Sequence, residues 1–144
     1  ADALEFWLSS SFWDSNEINN FQDELIFKGK IMYLIHQFIP EEELDVVFRF
    51  SKEDLMWCTV SEHNIWNEIM ELELMYSEDV EKYYSFFNSA PFTRGMPKES
   101  PGRIGNWVGY QIVDRYMNNT DVSLQSLMSN NNSQEILLKS KYRP

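Results

Sequence analysis

Chemistry in this chain would first be sought at its two histidines and its single cysteine. His36 and His63 stand far apart, and neither belongs to a His-Glu-x-x-His helix, the spacing that turns two imidazoles onto one zinc. Glu62-His63 is followed by Asn64 and Asn67, which is no ligand pattern, so a solvated or hydrogen-bonded histidine is expected. Cys58 has no neighbouring base and follows Met56 and Trp57, a setting for a small core residue rather than a nucleophile. Acids are plentiful but form no acid/base pair. Glu71 and Glu73 point to different sides of a helix, while Glu78, Asp79 and Glu81 suit the positive end of one. Gly102-Arg103-Ile104-Gly105 has a superficial likeness to a phosphate loop, without the Gly-Lys-Ser/Thr ending or a preceding strand. Arg103 falls in the first turn of a helix, where the dipole opposes a cation, so either a carboxylate pairs with it or solvent screens it. No cofactor, metal-ligand set or catalytic residue is expected.

The charge balance narrows the partners. Asp and Glu number 23 against 12 Lys and Arg, a formal net charge of -11. Nucleic acid and anionic lipid both call for a basic surface, and neither is expected as a partner. Apolar residues make up 43% and aromatics 15%, which excludes disorder and supplies a core for one domain of 144 residues. No apolar run reaches membrane-spanning length, and one cysteine permits no internal disulfide. The chain opens on Ala with no signal-like region, so it is read as a processed form or an excised piece. Cys58 lies far from any lipidation site. The basic end, Lys139-Ser140-Lys141-Tyr142-Arg143-Pro144, reads as a frayed cationic tail behind a last helix.

The elements that must position these residues are helical almost throughout. Asn20 caps a helix with Asp23 and Glu24 in its first turn. Within it Phe27, Ile31, Leu34 and Phe38 form one stripe and Leu25, Met32, Ile35 and Ile39 a second, so it is contacted from two sides and central. Pro40 ends it, and Glu41-Glu42-Glu43 is a solvated start to the next segment. Asp45–Phe50 reads as a short strand or an extended connector. Ser51 with Asp54 opens a helix running towards Tyr76, with a break expected near Thr59–Ser61 and a buried face of Ile65, Ile69, Leu72 and Tyr76. Ser77 caps a shorter helix whose apolar face is Val80, Tyr83, Tyr84 and Phe87. Asn88–Pro101 is a long, Pro-rich loop of a kind often functional. Ser100-Pro101 then reads as N-cap and N1 of a helix with the stripe Ile104, Val108, Ile112 and Tyr116. Gly105 and Gly109, one turn apart beside it, imply close approach of a neighbouring helix. Asn118–Thr120 ends that helix, and two short helices follow around Leu124–Met128 and Gln134–Lys139, separated by Asn130-Asn131-Asn132.

The segment Glu99-Ser100-Pro101-Gly102-Arg103-Ile104-Gly105-Asn106-Trp107-Val108-Gly109-Tyr110-Gln111-Ile112-Val113 resembles the C-terminal region of the gliding-motility lipoprotein GldB family of Bacteroidota. Further pieces follow the family's order: Glu24-Leu25-Ile26-Phe27-Lys28-Gly29-Lys30-Ile31-Met32-Tyr33, Trp57, Ile65-Trp66, Met75-Tyr76-Ser77, Ala90-Pro91-Phe92, Ser123-Leu124-Gln125 and Ser140-Lys141-Tyr142-Arg143-Pro144. The likeness runs from about Phe21 to the end, and residues 1–20 lie outside it. It implies a lipoprotein of the cell envelope that faces the periplasm, is needed for gliding and is associated with type IX secretion. The family also looks like a distant, degenerate relative of zincin-type metallopeptidases. In active relatives a glutamate before a glycine on the downstream helix supplies the third zinc ligand. Lys28-Gly29 stands there in this sequence, and an ammonium does not ligate zinc.

The resemblance therefore implies a non-enzymatic envelope protein that binds other gliding or secretion components and reaches the membrane only through an anchor outside this chain. Two alternatives stay open: a zinc-dependent peptidase whose His-Glu-x-x-His lies upstream, and an unrelated helical interaction domain. The expected architecture is mainly α, a compact helical domain over 1–144 with a central two-faced helix, and by the resemblance the C-terminal half of a degenerate zincin-like fold. The candidate structural or interaction block is Phe92, Ser100, Pro101, Gly102, Arg103, Gly105, Trp107 and Gly109. In that block the loop packs back through Phe92, Arg103 pairs with an acid, and Trp107 lies near an exposed partner face. Gly105 and Gly109 face the central helix.

Overall fold

The computed structural model describes residues 2–12, 17–40, 43–90 and 92–144; Glu41, Glu42 and Pro91 lie outside them. Eight α-helices follow in order: α1 (Asp2–Phe12), α2 (Phe21–Phe38), α3 (Leu44–Phe48), α4 (Lys52–Glu71), α5 (Val80–Tyr83), α6 (Ile104–Asn119), α7 (Leu124–Ser129) and α8 (Ser133–Ser140). A 3-10 turn, Tyr84–Phe86, extends α5. No strand occurs among the described residues, and no helix there is long and apolar enough to cross a membrane.

Helix α2 is the axis. Asn20, extended at φ -147°, accepts from the Asp23 amide, and Asp23 and Glu24 fill the first turn. Its first two amides find unusual partners. Phe21 N–H donates to Ser77 O (2.9 Å) and Gln22 N–H to Met75 O (3.1 Å), so a distant loop closes this helix end. Both stripes are buried except at the C-terminal end, where Phe38 is 53% exposed. Helices α1, α3, α6, α7 and α8 all pack against α2.

The tightest of these contacts joins α2 to α6. A Cβ on Gly109 would lie inside the contact shell of Leu25 O and close on the Gly29 backbone, and one on Gly29 would strike Gly109 O. Backbone thus meets backbone with no side chain between. Gly105 faces elsewhere: a Cβ there would meet the Phe87 ring at 2.6 Å and Phe86 O at 2.9 Å, so it opens space for the 3-10 turn and not for α2. Ile104, Val108, Ile112 and Tyr116 are all buried along α6.

Several local expectations yield to packing. Asp45–Phe50 is neither strand nor connector. Most of it lies in α3, whose Val47 and Phe48 are buried against α2, with the Phe48 ring edge-on to Tyr110 at 5.3 Å. Burial decides over β-propensity here. Helix α4 runs unbroken through Thr59–Ser61, and the Thr59 hydroxyl donates back to Leu55 O within it (2.9 Å), so the threonine is accommodated without ending the helix. Its Ser51/Asp54 capping box is present. It stops at Glu71, where Glu73 turns left-handed at φ 54°, so Ile65 and Ile69 are buried while Tyr76 is 68% exposed. The cap of α5 is Asp79, not Ser77, and the switch to 3-10 geometry rotates the buried face to Tyr83 and Phe86, leaving Val80 and Tyr84 exposed. The C-terminal segment is not frayed. Tyr142 is 4% exposed, stacks edge-on against Trp66 at 5.0 Å, donates to Glu62 Oε2 (3.0 Å) and lies under the Arg115 guanidinium.

Replacing Gly109 by Ala is expected to destabilise the domain by about 1–3 kcal/mol, the usual cost of overpacking. Val60→Ala at an exposed α4 position should leave the urea midpoint in place. A Gly109→Ala midpoint equal to wild type would refute the backbone contact.

Candidate functional site

The block around the Asn88–Pro101 loop forms an internal brace centred on Thr93, a residue 0% exposed. Thr93 N–H donates to Ser100 Oγ (3.3 Å), the Thr93 hydroxyl donates to Pro101 O (2.7 Å), and the same oxygen accepts from Ile104 N–H (3.3 Å). Thr93 therefore holds both sides of the loop and satisfies one of the free donors at the start of α6. Arg103 N–H donates to Asn88 O (3.1 Å), closing the loop at its base.

This geometry corrects the expected helix entry. Ser100 and Pro101 are buried and precede the helix instead of capping it, since Ser100 Oγ and Pro101 O are engaged by Thr93. The N-cap of α6 is Arg103, left-handed at φ 57°, and Ile104 is the first helical residue. Gly102 is required by contact, because a Cβ there would strike Ala90 O. Phe92 is only half-buried; Thr93 and Met96 carry the loop inward. Trp107 is 2% exposed, so it belongs to the core and presents nothing to a partner. Thr93 escaped sequence reading because an isolated threonine in a loop carries no periodic signal.

The chemistry-bearing side chains are likewise committed. Cys58 is fully buried, and burial with Asp54 nearby pushes its thiol up to about 12, which leaves it protonated and unreactive at neutral pH. His63 donates from Nδ1 to Pro144 O (2.8 Å) and accepts at Nε2 from Asn67 (2.9 Å), so with Glu62 it clasps the C-terminal segment. His36 lies 3.5 Å from the Tyr110 hydroxyl on the α2–α6 seam. Burial, then Asp114 and Tyr33, pushes Tyr110 up to about 12, so it remains a phenol and no base. Lys28, on the helix before Gly29, faces Glu24 electrostatically. Among the described residues no group of three or more His, Cys, Asp or Glu is placed to hold a metal ion.

What the surface offers instead is an apolar face. Helix α1 buries Leu8 and leaves Phe6 75% and Trp7 60% exposed. Beside them a groove of about 470 Å³ runs between α1, α2 and α7, walled by Trp7, Phe12, Leu34, Phe38, Leu124 and Met128. Arg49, at the C-terminal end of α3, fixes α1 by an ion pair to Glu5 at 2.6 Å.

Among the described residues the domain is helical, its loop is braced from within, and the rings of Phe6 and Trp7 stand open on α1. The family model described as gliding motility protein GldB matches residues 1–144, and the chain belongs to that family of gliding-motility lipoproteins. The match includes residues 1–20, which the likeness in sequence did not reach. No curated protein and no solved structure matches the chain.

Thr93→Val is expected to cost about 1–3 kcal/mol by stranding buried partners, and Thr93→Ser to restore most of it. Equal denaturation midpoints for the Val and Ser variants would refute the brace. Cys58 should resist iodoacetamide in the native protein at mild alkaline pH and react once unfolded; rapid native labelling would contradict its burial.

Proposed function

We propose that this chain serves gliding as a non-enzymatic, periplasm-facing domain of a lipid-anchored envelope protein associated with type IX secretion, and that it works by docking another envelope protein. The observation that carries the reading is the α1 face, where two large aromatics stand open beside an apolar groove. Aromatic anchors next to a pocket are the usual energetic centre of a protein interface. The acidic surface supports a protein partner over nucleic acid or anionic lipid. The non-enzymatic part rests on the side chains themselves. The thiol is buried, His63 is spent on the C-terminal segment, and Lys28 supplies an ammonium where the resemblance would need a carboxylate.

Cells carrying Phe6→Ser with Trp7→Ser are expected to lose gliding while the purified domain keeps its stability to within about 0.5 kcal/mol, as for ordinary surface changes. Normal gliding with normal abundance would overturn the docking face. Loss of gliding only in proportion to lost stability would assign these residues to folding.

A further inference from the structure

A second apolar surface lies at the C-terminal end of α4. There Trp66, Ile69, Met70, Leu74, Met75 and Leu137 line a pocket of about 400 Å³ between α4, the loop that follows it and α8. Ile69 and Leu74 are buried, while Met70 is 39% exposed at the pocket's rim. The Trp66 ring is fixed edge-on against Tyr142 at 5.0 Å. Methionine side chains adapt to what they touch, so one fixed ring is joined to two walls that conform to a guest.

The chain around this pocket is negative. Residues 68–81 include Glu68, Glu71, Glu73, Glu78, Asp79 and Glu81 and no Lys or Arg. The last three stand at the start of α5, where the helix dipole favours acids and Asp79 supplies the cap. Glu68, Glu71 and Glu73 have no such reason. They sit in and just beyond the last turn of α4, where the dipole opposes them, and no basic residue occupies that turn. Among the described residues none of the three makes an ion pair. Glu73 itself lines the pocket, and no Lys or Arg does. Lys139 on α8 is engaged by Glu135 at 2.9 Å.

Glu73 also stands at φ 54° and closes α4 by donating its N–H to Met70 O (3.0 Å). Glycine takes that left-handed conformation without strain, so folding alone gives no reason for a carboxylate there.

An apolar pocket beside a negative helix end is complementary to an apolar side chain carried next to a cation. We propose that this pocket docks a basic amphipathic segment of a partner protein. A Leu, Met or Phe side chain of the partner enters between Met70, Met75 and Leu137, and a neighbouring Lys or Arg pairs with Glu71 and Glu73. A second copy of this chain is a poor occupant, because it brings another net charge of -11 and its basic end is held down through buried Tyr142. Anionic lipid is opposed by the same acids. The pocket shares no lining residue with the α1 groove and does not rest on the docking reading of that face.

The test is amide NMR of the isotope-labelled chain, titrated with three model peptides of equal length and helical spacing: Leu with Lys, Leu with Glu, and Ser with Lys. The Leu/Lys peptide is expected to shift the amides of residues 66–75 and of Leu137, with a dissociation constant of about 0.1 mM or tighter. Its affinity should fall as salt rises. Glu71→Gln with Glu73→Gly should weaken it about tenfold, a change of roughly 1.4 kcal/mol. The urea midpoint of that variant should be no lower than wild type, because the left-handed position accepts glycine. Met70→Ser should weaken binding with the spectrum still dispersed. The Phe6→Ser, Trp7→Ser protein should bind as wild type does, so failure of the docking reading and failure of this one are distinguishable. No shift with the Leu/Lys peptide, equal binding of either control peptide, shifts confined to other surfaces, or undiminished affinity in the Glu71 and Glu73 variant would each overturn the proposal. So would pocket shifts on raising the protein concentration alone, which would make a second copy the occupant, or on adding phosphatidylcholine vesicles alone, which would make it lipid.

Discussion

The close passage of α2 over α6 at Gly29 and Gly109 is the constraint on which the rest depends. Two helices can bring backbone against backbone only where neither carries a Cβ, and here each glycine occupies the space the other would need. A glycine inside a helix costs roughly 1 kcal/mol against alanine, so the pair is retained only because the contact returns more than that. With the helices this close, the large side chains flanking the crossing interdigitate at once. Leu25, Ile26, Met32, Val108, Ile112 and Val113 are all buried around it. Helices α1, α3, α7 and α8 then pack against this pair.

Such a pair creates a problem at its ends, because helix N-termini inside a packed body still carry free amides. The fold solves it with remote loops. The loop after α4 sends Met75 O and Ser77 O to the first amides of α2, and the Asn88–Pro101 loop sends the Thr93 hydroxyl to the first amide of α6. Chain segments far apart in sequence are thus fastened to the two central helices by polar bonds as well as by burial. The C-terminal segment follows the same rule through Tyr142, Glu62 and His63. Glu62 and His63 thereby hold the C-terminal segment in place.

Regular elements with a strong period were legible in the sequence, including α2 with its cap, the stripe of α6 and the short closing helices. Less was legible wherever a distant contact overrode the local pattern. Val46, Val47, Phe48 and Phe50 have strand-like types, yet a helical turn buries Val47, Phe48 and Phe50 against the body. Ser100-Pro101 has the look of a helix entry, but its oxygens belong to Thr93, and no local rule reveals a partner seven residues earlier. Gly105 and Gly109 share a spacing that implies a common neighbour. Positions four apart on a helix differ in direction by only about 40° but lie about 6 Å apart along its axis, and over that distance the neighbour changes from the 3-10 turn to α2.

The most recognisable block in the sequence is consequently the least available for contact. Ser100, Pro101, Trp107 and Gly109 are buried, and Gly102 is pressed against Ala90 O. At these positions the loop, the helix start and the glycine crossing leave little room for another side-chain volume. A signature of that kind reports how the chain folds. Binding, by contrast, must be done by groups that the interior does not need. The open rings of Phe6 and Trp7 and exposed amides such as that of Asn131 are groups of that kind, and none stands in a spacing that a motif would capture. The division follows from the arithmetic of a small domain: once two central helices must touch through their backbones, the residues near the crossing are fixed by volume. The rim, where α1, α7 and the N-terminal ends of α2 and α8 meet solvent, is under no such constraint.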